Sequence, residues 1–194
     1  MATTSPATFS SLVSSAEFRI HVQDPIDHLH HCRQLIEDSL ITVKNAVIGL
    51  GLTTPVLRTE AAAALDYELA LLQLLSDLHT QDVEKSLFPR LKKSASGDSK
   101  LLPELIPTLE SQHRDHQALF GQIAACLRNF PTTEDAAAEE RLTRLTSLSE
   151  QLEDMFRSHI ALEDEKLLPV CRGALPQEDL AEMQQEMRLR YKSH

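Results

Sequence analysis

Four stretches of this chain carry apolar residues at alternating three- and four-residue spacing, and each stripe is interrupted by polar residues. That spacing lines one side of an α-helix, so each stretch predicts a helix with one side turned to a core. The first stripe is Ile26, Leu29, Arg33, Ile36, Leu40, Val43 and Val47, and the second is Leu65, Leu69, Leu72, Ser76, His79, Val83 and Leu87. The third is Ile106, Leu109, His113, His116, Phe120, Ile123 and Leu127, and the fourth is Leu145, Leu148, Leu152, Phe156, His159, Glu163 and Leu167. Four long helices with short connections predict an all-α chain built as an up-down-up-down four-helix bundle. In three of the four stripes the interruption includes histidine.

Local signals set the expected boundaries. Asp24 followed by Pro25 is an N-cap with proline at the first helical position, and the first helix should run from there to Gly49. Gly49, Gly51 and Pro55 read as the turn, and the second helix as 58–93 with a disturbance near Pro89. Residues 94–99 read as a solvated loop, and the third helix as ending near Asn129, with Pro103 and Pro107 complicating its start. After a loop at 130–135 the fourth helix should span 135–170, followed by a short amphipathic C-terminal helix at 179–189. Residues 1–22, rich in Ser, Thr and Ala, read as a flexible N-terminal arm, leaving 23–194 for the bundle and its C-terminal extension.

Residues 79–89 (HTQDVEKSLFP) and 159–169 (HIALEDEKLLP) are one short phrase written twice, each opening on histidine and closing on an apolar pair and proline. The second copy holds His159 and Glu163. Positions i and i+4 of a helix lie only about 40° apart around the axis, so imidazole and carboxylate leave the same face. Together they can clamp a metal ion. A lone histidine on an apolar face is ordinarily a core residue satisfied by a hydrogen bond. Four inward histidines and a carboxylate on three helices are a different matter, because burying each without a partner costs about 1–3 kcal/mol. One cation would satisfy them together.

Composition excludes several other classes. Hydrophobic residues make up 42% of the 194, aromatics 4%, with only five glycines, which favours helices over strands. A net charge of −10 argues against a nucleic-acid partner, which needs a basic stripe. Cys32, Cys126 and Cys171 are far apart and form no CxxC, which reads as reduced thiols in a cytoplasmic protein. The first residues have neither a basic nor an apolar region of a signal peptide, and the apolar stretch 41–57 is broken by Lys44, Asn45, two glycines and Pro55. No membrane span is expected.

The segments DPIDHLHHCRQL, LHTQDVEKSLFPRL, LESQHRDHQALF and FRSHIALEDEKLLPV, in that order, resemble the hemerythrin-like (HHE cation-binding) domains. The resemblance covers about residues 24–190, and the two phrases ending in LFP and LLP are its specific part. It implies a four-helix bundle with an iron site, usually di-iron and oxo-bridged, used for oxygen binding, for sensing oxygen, nitric oxide or redox state, or for iron handling. His79, His113, His159 and Glu163 fall where the family places ligands, Glu163 as a bridging carboxylate. Three positions depart: Arg33 replaces the first-helix histidine, Val83 the second bridging carboxylate, and Gln117 the histidine found in the oxygen carriers. The first two losses strike one iron of the pair.

The expectation is therefore a mononuclear or incomplete site of His79, His113, His159 and Glu163, with His30, Asp82 and His116 as weaker candidates. Glu84, about 140° from His79 on a regular helix, is expected to point elsewhere. His28, His31, His21 and His194 read as surface residues, and Asp164 and Glu165 as a solvated face. Histidines with one carboxylate and open positions suit one or two iron ions, and zinc would accept the same donors. A small gas, O2 or NO, is the expected ligand. Two rival readings are iron-dependent peroxide or oxygen chemistry, and a metal-free structural bundle in which Arg33 plugs the core against Glu163. The sequence names no organic substrate.

Overall fold

A computed structural model of the chain describes residues 24–52, 54–94, 101–128, 130–131 and 136–192. The expected N-terminal arm, most of the two predicted loops and His21 and His194 lie outside them. Among the described residues the secondary structure is helical, with no strand. Helix α1 spans Pro25–Leu52 and α2 Pro55–Gln81; α2 passes through a π-helical turn, Asp82–Leu87, into α3, Phe88–Ser94. Helix α4 spans Leu102–Leu127, and α5 spans Ala136–Leu162. Helix α5 passes through a second π turn, Glu163–Leu167, into α6, Leu168–Ala174, and α7 closes the chain at Gln177–Lys192. No helix among the described residues is long and apolar enough to cross a membrane.

The N-terminal cap of α1 forms as its sequence predicts. Asp24 Oδ1 accepts the Ile26 N–H at 2.8 Å and the Asp27 N–H at 3.0 Å. The other end is different. Helix α1 runs through Gly49 and Gly51 to Leu52, beyond the turn expected there. Gly51 serves a close approach instead, since a Cβ at that position would meet Leu142 Cδ2 of α5 at 3.0 Å.

Proline explains the two π turns. Pro89 and Pro169 lack an N–H, and a proline ring clashes with the carbonyl four residues earlier in a regular helix. Just before each proline the hydrogen bonding widens, Phe88 N–H to Val83 O in one helix and Leu168 N–H to Glu163 O in the other. The extra residue per turn moves the preceding carbonyls away from the ring without ending the helix. Both helices therefore carry the same irregularity at the same point of the repeated phrase.

Helix α1 packs against α2 and α5, and α4 packs against α5 and α2, so the four long helices enclose a common interior as a helical bundle. Every residue of the four predicted stripes is buried. The interior is not uniformly apolar. One cluster holds Ile36, Val43, Leu72, Phe120, Leu152 and Phe156 among others. A second holds Leu29, Val83, Leu87, Leu109, Leu167, Met183 and Met187 among others. Arg33, His79, His113, His116, His159 and Glu163 lie in sequence between them on every stripe, forming a buried polar layer between two apolar ones.

Candidate metal centre

The polar layer gathers donors from three of the bundle's helical segments. His79 comes from the last turn of α2, His113 from the middle of α4, and His159 from the last turn of α5. Glu163 opens the π turn that follows. One ligand atom from each of these four residues lies within 4.8 Å of all the others, and all four residues are buried. Glu163 is the hub. His79 Nε2 lies 3.2 Å from its Oε2 and 3.3 Å from its Oε1, and His159 Nε2 lies 3.4 Å from Oε1.

The outward nitrogens of two imidazoles are held. His113 Nδ1 is 2.7 Å from Glu84 Oε1, and His159 Nδ1 is 2.9 Å from Gln112 Oε1. A carboxylate or amide oxygen can accept a hydrogen bond from Nδ1–H, which leaves the Nε2 lone pair free to face the interior. His113 Nε2 and His159 Nε2 are buried and have no hydrogen-bond partner. Burial, helped by the neighbouring His159, pushes the His113 imidazole down to about 3, so it is neutral at physiological pH. Burial opposes ionisation of Glu163, but His79 and His159 outweigh it and hold its carboxyl well below the usual range.

The remaining candidates are placed as follows. His116 is buried beside the group rather than in it, its ring stacked on Phe156 at 4.0 Å between centroids and 5.1 Å from His159. Burial, then His159, pushes it down to about 3 as well. His30 sits at the rim, its Nδ1 3.1 Å from Arg33 Nη2. Asp82 faces away from Glu163, toward His28 Nε2 at 3.2 Å and Arg190. Gln117 is bonded to Asp77 and Gln73.

Arg33 is 2% exposed and reaches Glu163, with Nη1 3.3 Å from Oε2. Its Nη2 lies 2.7 Å from Asp164 Oδ1. Asp164 thus does more than solvate a face: half of it is exposed, while its carboxylate closes on the buried guanidinium. His28, read from sequence as a surface residue, is buried at 4%, because the helix turns it toward Asp82. His31 is exposed, as expected.

Two supporting residues escaped the sequence reading. Glu84 lies five residues after His79, which a regular helix would turn well away, but i→i+5 bonding brings residues five apart toward one face. Gln112 is next to His113 in sequence, yet it supports the histidine of another helix. Pro89, five residues downstream, was the one available signal for Glu84.

The model of the hemerythrin HHE cation binding domain matches residues 27–171. This chain belongs to that family. No curated protein matches it. The donor chemistry of the centre agrees with that membership. Three imidazoles and a carboxylate suit a borderline divalent cation. The ligand atoms all lie within 4.8 Å of one another, close enough for one ion bonded at about 2.1 Å to be shared among them. On the far side of Glu163 the Arg33 guanidinium is already in contact with Oε2, and Val83 is packed in the second apolar cluster.

Proposed function

We propose that this hemerythrin-like chain binds one transition-metal ion, iron in preference to zinc, through His79, His113, His159 and Glu163. The carrying observation is two buried Nε2 atoms without a hydrogen bond, that of His113, held from behind by Glu84, and that of His159, held by Gln112 and 3.4 Å from Glu163 Oε1. Leaving them unsatisfied would cost about 1–3 kcal/mol each, and one cation removes both costs. Ferrous iron with a free coordination position supplies reversible binding of O2 or NO, which fits sensing or iron handling in the cytoplasm. The bundle would run up-down-up-down around it.

The chain's own groups set the terms of binding. Glu84 and Gln112 fix the tautomers of His113 and His159. Arg33 neutralises the Glu163 oxygen turned away from His159, so Glu163 cannot bridge to a second ion. The stacked His116 and Phe156 and the apolar clusters above and below exclude bulk water.

Elemental analysis of protein purified without chelator tests this reading. One equivalent of iron is expected, lost in His159→Ala and kept in the surface change His31→Ala. Equal metal in the two variants would remove the site. A second reading, a metal-free bundle, is favoured by the Arg33–Glu163 contact, which satisfies part of the layer without any cation. Wild-type protein that takes up no metal on reconstitution would select it.

A further inference from the structure

A second group of donors lies outside that centre. His28 and Cys32, one turn apart on α1, face Asp82 of the first π turn, and one ligand atom of each lies within 4.8 Å of the others. All three residues are buried. We propose that His28, Cys32 and Asp82 form a second cation site, suited to zinc(II), which joins α1 to the first π turn beneath the C-terminal helix.

The separations carry the argument. His28 Nε2 lies 3.2 Å from Asp82 Oδ2 and 3.5 Å from Cys32 Sγ. Tetrahedral zinc with bonds of about 2.0 Å to nitrogen and oxygen and about 2.3 Å to sulfur sets N···O and N···S edges of roughly 3.3 and 3.5 Å. The donors already stand at those edges. Hydrogen bonding alone serves the group less well. Nε2 carries either one proton or one lone pair, so it can bond one of its two neighbours. A cation at the centre takes all three.

The surroundings supply the supporting groups. Arg190 of α7 donates to Asp82 Oδ1 and, through Nη2, to Ser86 Oγ at 3.1 Å, which leaves Oδ2 facing His28. Tyr191 Oη lies 3.1 Å from Cys32 Sγ, and its ring meets the His28 ring edge-on at 4.9 Å. Guanidinium and phenol from α7 therefore orient two of the three donors, as outer partners of metal ligands do. Three protein donors would leave a fourth tetrahedral position open.

Cobalt(II) distinguishes this site from the iron centre, because only this one offers sulfur. Full-length chain, stripped of metal and kept reduced, should develop a thiolate-to-cobalt charge-transfer band when titrated with Co(II). The band should vanish in Cys32→Ser, need at least tenfold more cobalt in Asp82→Asn, and persist in His159→Ala and Cys171→Ser. X-ray absorption of the zinc-loaded wild type, which no folding defect can confuse, should show one sulfur at about 2.3 Å. A folded wild type without the band, a zinc shell of nitrogen and oxygen only, or a band that survives Cys32→Ser would overturn the proposal. Loss of the first centre in His159→Ala with the sulfur band intact would leave it standing.

Discussion

Truncating Arg33 to alanine leaves Glu163 ionised, buried and deprived of its guanidinium, while Asp164 loses the same partner. Breaking a buried pair from one side costs about 3–5 kcal/mol. Urea unfolding of metal-free Arg33→Ala should show a loss of that order, and added iron should recover part of it by taking over the charge of Glu163. A change below about 1 kcal/mol would mean that the pair is not the buried contact described here. Val83→Glu alone should also destabilise, since Val83 is 1% exposed in an apolar cluster, and should leave the iron content at one. Combined as Arg33→His with Val83→Glu, the two changes restore donors on the far side of Glu163. Iron should then rise toward two per chain, with the near-ultraviolet absorption of an oxo-bridged pair. A double variant that still holds one iron would show that more than these two residues keeps the second ion out.

The repeated phrase was legible as two helical segments, and the spacing of His159 and Glu163 placed both on one face. Burial of all four stripes followed from their period alone. The π turns were not legible, because hydrogen-bond registers leave no hydropathy signature; only Pro89 hinted at a disturbance. That is why Glu84 seemed misplaced and Asp82 a candidate ligand, when the wider turn sends Glu84 to His113 and Asp82 to His28. Helix α7 shows the same limit. Its amphipathic pattern predicted a helix, but what it covers is a tertiary fact: Met183 and Met187 are fully buried in the second apolar cluster, and Arg90 reaches Glu182 and Glu186. Met187→Ala should therefore cost about 2–5 kcal/mol in chemical unfolding, as for other buried methionines. If α7 were loosely attached, the same change would shift the midpoint little.

Sandwiching a polar layer between two apolar clusters makes the stability of the whole bundle depend on pH. His113 and His116 are both pushed down to about 3, chiefly by burial, against about 6.5 in an unfolded chain. A histidine held neutral in this way binds protons more readily when unfolded. Its contribution is complete above about pH 6.5 and is lost as the pH falls toward 3. Each group should remove about 1.4 kcal/mol per pH unit inside that window, or about 2 kcal/mol by pH 5. Glu163, held low, gives its own contribution above the ordinary carboxylate range and loses it only at lower pH, so the interval from pH 6.5 to 5 reports mainly on the histidines. Denaturant midpoints of metal-free protein should fall steadily across that interval. His116→Phe, which keeps a ring against Phe156, should reduce the slope by roughly half. Metal should raise the midpoint at pH 7 and steepen its fall in acid, because protons and the cation compete for the same Nε2 atoms. Midpoints that stay level between pH 6.5 and 5, with and without metal, would mean that the buried imidazoles are not held neutral and that the layer does not govern the fold's stability.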